Sequence, residues 1–173
     1  VSAYLAMLSI KVLPYNEVGK YLKRDYFAYN ILLDPNETNS YLVACAKEGR
    51  AAVVLTTSPI PEMKAVKNET EIQGFHNAMK RDGVAMVKFL KWLIPAVKAG
   101  HETEISLDKK LTYLRSQQPL FRDSSFDTIV GYEHHGAIVH YEATPETDIA
   151  VEPHGFVLID SGAQYQDGTT DIT

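Results

Sequence analysis

Hydrophobic and polar positions follow two different rhythms along this chain. From residue 1 to about residue 60, short helical patterns trade places with short apolar runs. Ala3 to Leu8 reads as a short helix, Ile10 to Leu13 as a strand, and Asn16 with Val18, Tyr21 and Leu22 as the start of a second helix. Asn30 to Asp34 (NILLD) is an apolar run closed by the turn pair Pro35-Asn36. Glu37 to Lys47 has helical spacing at Tyr41, Leu42 and Ala46, and Gly49 is a natural stop. Ala51 to Thr56 (AAVVLT) has the composition of a buried strand. Strands alternating with helices predict an α/β layer.

Ser58-Pro59-Ile60-Pro61 then breaks the pattern, because two prolines remove two amide donors and extend the residues before them. A long helix is predicted beyond it. Asn68 with Glu71 fits a capping box. Ile72, Phe75, Met79, Met86, Leu90, Leu93 and Val97 trace an apolar stripe, and Gly100 suits the C-cap. A helix of about thirty residues is long enough to expect a kink near Gly83 or Pro95. A further helix fits Leu107 to Gln117 with Ser106 as N-cap. After Pro119 the period changes again. Ser125 to Val130, Ala137 to Tyr141, Phe156 to Asp160 and Thr169 to Thr173 are strand-like and separated by polar or glycine-containing turns. Long helices followed by sequential strands predict an α+β arrangement.

Composition narrows the function classes. The 173 residues are 45% apolar and 23% charged, as in a globular protein. Acidic residues outnumber basic ones by 22 to 17, and no basic cluster interleaves with aromatics, so nucleic acid is not an expected partner. Cys45 is the sole cysteine, which excludes an internal disulfide and reads as a small buried side chain in a reducing, cytoplasmic setting. The longest apolar stretch, Val84 to Val97, carries Lys88 and Lys91 and is too short to span a bilayer, so no membrane is expected. The start VSAYLAMLSI lacks a basic leader, and both ends read as cuts through regular structure.

Asp160 and Asp171 are the strongest candidates for chemistry. The apolar run FVLI ends on Asp160, and Gly162 with Asp167-Gly168 permits a chain reversal. If the flanking strands pair antiparallel, both carboxylates can share a face. Two carboxylates there repel and lose hydration, and a cation between them relieves both penalties. Oxygen-only donors favour hard or borderline divalent ions. The other reading is that both are ordinary turn residues. His140 sits in the apolar run GAIVHY as a core residue or as a donor to a substrate carbonyl. His134 and His135 read as rim residues, and His76, His101 and His154 as surface, helix-end and turn residues. Phosphate-loop, dinucleotide, HExxH and GxSxG motifs are absent.

The run LIDSGAQYQDGTTDIT, preceded by SFDTIVGYEHHGAIVHY and KAVKNETEIQGF, resembles the pita-bread metallopeptidases. Within them it is most similar to the long, three-domain Xaa-Pro aminopeptidases (aminopeptidase P), closely over residues 59–173. The resemblance implies an α+β fold: residues 1–58 as the end of a creatinase-type α/β domain, and 59–173 as the first part of a pita-bread catalytic domain. It implies two divalent ions, usually Mn²⁺, and metal-activated water that releases the residue before a penultimate proline. Asp160 and Asp171 match the family's two aspartate ligands, and His140 matches its substrate-contacting histidine. The remaining His and Glu ligands belong to later strands, so this stretch alone is expected to be inactive. The parent is expected to be a cytoplasmic homodimer. Methionine aminopeptidase, proline dipeptidase and a non-catalytic peptide-binding module are the alternatives.

Overall fold

A computed structural model describes residues 2–24 and 29–173. The chain divides into two compact units, Val1–Val66 and Lys67–Thr173.

The first unit opens with helices α1 (Ser2–Met7) and α2 (Val18–Leu22), the latter entered through a single 3-10 turn at Tyr15–Glu17. Residues 10–13, expected as a strand, form no regular element. Strands β1 (Asn30–Leu33) and β2 (Ala52–Leu55) pair in parallel, joined by helix α3 (Ser40–Glu48). This is the βαβ pattern the alternation predicted. Asn39 caps α3 by accepting from the Leu42 amide. The carboxylate of Asp34 accepts the amides of Asn36 at 2.9 Å and Ser58 at 2.7 Å, tying the ends of β1 and β2. Those amide bonds hold its carboxyl below the usual range. The AVVL strand is not buried as expected, since Val54 and Leu55 are exposed. Helix α4 (Ile60–Ala65) closes the unit with Pro61 in its first turn, where a missing donor costs nothing.

The second unit is organised by helix α5 (Glu69–Ala99), which runs 31 residues without interruption at Gly83 or Pro95. Its start is the expected reciprocal box: Glu71 N–H donates to Asn68 and the Asn68 amide to the Glu71 carboxylate. Gly100 ends it at φ 86°, a left-handed conformation open to glycine. The buried face differs from the expected stripe. Gly74, Ala78, Asp82, Ala85, Phe89 and Val97 are buried, while Met79 and Leu90 are 45% and 53% exposed. Large apolar residues were given the inner face, but close approach of another element reserves much of it for small ones.

Helix α6 (Glu104–Ser116) packs on α5. It starts earlier than expected. Thr103, not Ser106, is the N-cap, and Ser106 is the third helical residue of a second reciprocal box. Phe89, Val97, Leu107, Leu111, Val130, Tyr132 and Val151 form the main core. The strand expected over 125–130 is mostly a loop: β3 (Phe121–Ser124) ends before it, and β4 (Ile129–Tyr132) takes up only its last two residues. β4 pairs antiparallel with β5 (Val157–Asp160), Ile129 opposite Asp160. β3 pairs antiparallel with β6 (Ala163–Tyr165), which turns into β7 (Gly168–Thr169). The expected strand Ala137–Tyr141 does not form. Its place is taken by a 3-10 turn at Glu133–Ala137 and a further turn through His140.

Candidate metal centre

Asp160 is the last residue of β5, and Asp171 lies two residues beyond β7. The chain between them folds back on itself. Ser161 and Ile172 form a bridge, their amides and carbonyls exchanging bonds of 3.0 and 2.9 Å. Gln164 opposes Thr169, and Tyr165 opposes Gly168, in the same register. That register sets Asp160 across from Thr173, with Asp171 two residues from Thr173 on the same face. Such diagonal neighbours sit roughly 7–8 Å apart, within reach of two carboxylates that share a cation. Asp160 is half-buried, and its Oδ1 is buried with no hydrogen-bond partner among the described residues. Asp171 is exposed.

A bare carboxylate oxygen removed from water is strongly unfavourable unless a cation or donor meets it. The pair therefore fits part of a hard-cation site: all-oxygen donors on one face, one of them already desolvated. It is part of a set. Among the described residues no group of three or more His, Cys, Asp and Glu side chains is placed to hold a metal.

The hairpin that carries the pair is seated on α5. Gly74 lies under the turn so closely that a Cβ there would overlap the Asp167 carbonyl, and a Cβ on Gly168 would stand 3.0 Å from that of Ala78. Arg81 pairs with Asp167 and lies over the Tyr165 ring. The Arg81 guanidinium holds the Asp167 carboxyl below the usual carboxylate range. One helical position further on, the fully buried Asp82 carboxylate accepts both Arg115 Nε at 2.8 Å and Nη2 at 3.0 Å. It also accepts the hydroxyls of Tyr165 and Thr170, each at 3.0 Å. Burial first, then the Asp82 charge and hydrogen bond, push the Tyr165 hydroxyl far above its ordinary range.

His140 is exposed and has a left-handed backbone, φ 55°. It is thus neither a strand residue nor a core residue. No hydrogen bond or ion pair among the described residues joins it to Asp160 or Asp171. The next residue fixes its turn: Tyr141 is buried and donates its hydroxyl to Glu104 at 2.9 Å. Glu104, itself fully buried in the first turn of α6, also accepts the Tyr132 amide at 2.7 Å and contacts His135 Nδ1 at 2.9 Å. His135 is therefore an anchored residue and not part of an open rim. Burial raises the Tyr141 hydroxyl above its ordinary value, with the Glu104 contact adding to it. His76 and His101 are exposed, and His154 meets the Tyr132 hydroxyl at 3.0 Å.

Sequence reasoning missed Asp82, Arg115, Thr170 and Glu104. A charged residue on the apolar side of a predicted helix, as Asp82 is between Ala78 and Ala85, was the available signal.

Comparison with known proteins adds to this geometry. Residues 73–173 match the family described as Metallopeptidase family M24, and residues 1–71 match the Creatinase/Prolidase N-terminal domain. The chain is 41% identical over 170 residues to Xaa-Pro aminopeptidase 1 of Dictyostelium discoideum, covering 95% of this chain and 26% of that protein. It is 47% identical over 117 residues to Aminopeptidase P2 of Arabidopsis thaliana, 67% of this chain and 16% of that protein. Among solved structures it superposes on X-prolyl aminopeptidase from Caenorhabditis elegans, described as a cytosolic enzyme with a di-nuclear active site. The TM-score is 0.87 at 33% identity, over 98% of this chain and 29% of that one. The chain thus spans about a quarter of the length of the first of these curated relatives, and less of the second.

Proposed function

The chain belongs to metallopeptidase family M24, a creatinase-type segment joined to a pita-bread fold, and from that premise we propose that it is part of a dinuclear-metal Xaa-Pro aminopeptidase. Asp160 and Asp171 are two of its metal ligands. The buried, unpartnered Oδ1 of Asp160, on the same face as Asp171, carries this reading. Two divalent ions, Mn²⁺ by the family resemblance and compatible with oxygen donors, would when bound supply an acidified water and a Lewis-acid pull on the scissile carbonyl.

The protein's own groups have distinct tasks in that reaction. Asp160, half-buried at a strand end, contributes a donor whose direction is set by pairing on both edges of its strand, to Ile129 and through Ser161 to Ile172. Asp171, exposed, contributes the more solvent-accessible carboxylate. His140 projects from a turn pinned by Tyr141, and an imidazole N–H there can donate to a substrate carbonyl. The substrate class is a peptide with proline at its second position. The full-length protein is a cytoplasmic homodimer. The 173-residue stretch alone is inactive, because two carboxylates offer at most four oxygens to two ions that each need about four to six donors.

The test is hydrolysis of Xaa-Pro dipeptides, longer Xaa-Pro peptides and Met-Ala by the full-length protein, with and without Mn²⁺. D160N and D171N serve as the ligand-deleted variants. Turnover of longer Xaa-Pro peptides that both variants abolish is the expected result. A preference for Xaa-Pro dipeptides points to a proline dipeptidase, and turnover undiminished in D160N overturns the ligand reading.

A further inference from the structure

Asp82 lies outside the pair of ligands, yet it is fully buried and both its oxygens are hydrogen-bonded. Its two oxygens accept from Arg115 twice, from Tyr165 and from Thr170, at 2.8 to 3.0 Å. Every one of those partners is a donor in these bonds, and Asp82, Arg115 and Thr170 are at most 1% exposed. The bond to Thr170 has a second consequence. With its hydrogen committed to Asp82, the Thr170 oxygen is free to accept, and it takes the Ala163 amide at 3.0 Å across the hairpin. The carbonyl of Thr170 in turn accepts the Ser125 hydroxyl at 3.0 Å. Gly162 leaves room for that carbonyl, which any Cβ at position 162 would overlap.

Thr170 immediately precedes Asp171. Its side chain is held by Asp82 and Ala163, and the peptide unit leading into Asp171 is held by Ser125. The Thr170 hydroxyl thus links α5 to the backbone just before Asp171, beside the hold of Ser125 on the Thr170 carbonyl and the Ser161–Ile172 bridge that follows.

We infer that Asp82 is a positioning residue for the metal-ligating hairpin: a buried carboxylate that orients Asp171 through Thr170 and sets the spacing of the Asp160–Asp171 pair. This rests on the reading of those two aspartates as ligands. A carboxylate is required at position 82 because four donors converge on it. An amide there turns an NH₂ toward at least one of them and releases the hairpin on that side. Outer partners of metal ligands act in this way elsewhere by holding the ligand's orientation before the ion arrives.

The experiment uses the full-length protein and Mn²⁺ alone as probe, with affinity read by titration calorimetry and the bound ion by its paramagnetic resonance spectrum. D160N and D171N are ligand controls. T170V removes the relay hydroxyl at nearly constant volume, T170S restores it, and D82N removes half the acceptors. V97A, in the core at the far end of α5, lowers thermal stability without touching the hairpin. The expected result is a roughly 10–100-fold loss of Mn²⁺ affinity in T170V and D82N, with an altered resonance line shape. T170S recovers affinity to near the native value, and V97A leaves it unchanged. Should D82N not fold, T170V and T170S carry the comparison. If T170V binds Mn²⁺ as tightly as the native protein while D160N does not, the positioning role is wrong and the ligand reading stands. If V97A loses as much affinity as T170V at equal stability, the effect is one of stability and the inference is overturned. If D160N and D171N both bind Mn²⁺ normally, the ligand reading itself fails and takes the positioning role with it.

Discussion

Two glycines on α5 provide an opposed pair of substitutions. In a helix interior Gly→Ala ordinarily stabilises by about 1 kcal/mol, since alanine loses less backbone entropy on folding. A Cβ at Gly83 meets nothing within 4 Å, so G83A should show that gain. A Cβ at Gly74 would stand 2.0 Å from the carbonyl oxygen of Asp167, and real Cβ atoms essentially never come below 3.0 Å. Helix and hairpin must then separate by at least the difference, 1.0 Å. The obstructing atom is backbone, so no side chain can swing aside. Overpacking of this kind costs roughly 1–3 kcal/mol, and a backbone clash belongs near the top of that range. After the propensity gain, G74A should lose about 2 kcal/mol while G83A gains about 1. A separation of about 3 kcal/mol corresponds to roughly 6–12 °C in Tm for a cooperative unit of about 150–250 residues. Differential scanning calorimetry of both variants beside the native protein decides the matter. The displacement should also weaken Mn²⁺ binding in G74A alone. If G74A is stabilised as much as G83A, the hairpin does not sit on α5 as described.

Three further outcomes are expected. R115M leaves the buried Asp82 carboxylate without its cation and should cost about 3–5 kcal/mol in urea denaturation. F89A empties a fully buried position of the main core and should cost about 3–5 kcal/mol by the same measurement. The third concerns pH. Arg81 depresses the Asp167 carboxyl, so that group adds stability above its unfolded pKa of about 4 and loses it as pH falls through the lower folded value. Stability of D167N against native should therefore differ at neutral pH and converge in acid, as tracked by Tm across pH 2 to about 7.

What the sequence disclosed was governed by distance along the chain. The box joining Asn68 to Glu71 and the stop at Gly100 are contained within a few residues, and both are present. The paired strands around α3 and the α+β character of the second unit follow from local periodicity. Where the sequence misled, a distant partner overrode a local pattern. GAIVHY is an apolar run of the kind a strand would use, yet Tyr141 reaches across to Glu104, 37 residues earlier, and the backbone turns at His140 instead. The inner face of α5 was misassigned for the same reason. Glycine and alanine look neutral on a helical wheel, and only the hairpin almost a hundred residues later explains why bulk is excluded there. Asp82 and Arg115 lie 33 positions apart on different helices, so nothing in their local surroundings links them.

Asp82 and Asp160 contrast a carboxylate satisfied inside the fold with one that the proposed function makes a metal ligand. Asp82 has a donor for each acceptor direction it uses, so the folded chain itself neutralises the cost of burying it. Asp160 has a buried oxygen that no group among the described residues meets, so on the proposed reading the metal-free fold carries that cost. The two should respond in opposite senses to loss of charge. D82N discards satisfied bonds and should lower the metal-free Tm. D160N removes an uncompensated charge and should leave the metal-free Tm equal or higher, the usual trade between stability and a prepared site. With Mn²⁺ at about 100 times its dissociation constant, the native protein should gain about 2.7 kcal/mol that D160N cannot. Thermal scans of native, D82N and D160N proteins in chelator and in Mn²⁺ measure both effects together. A metal-free D160N clearly less stable than native would mean that the Asp160 carboxylate is satisfied within the protein, and that the bare oxygen is not a ligand position.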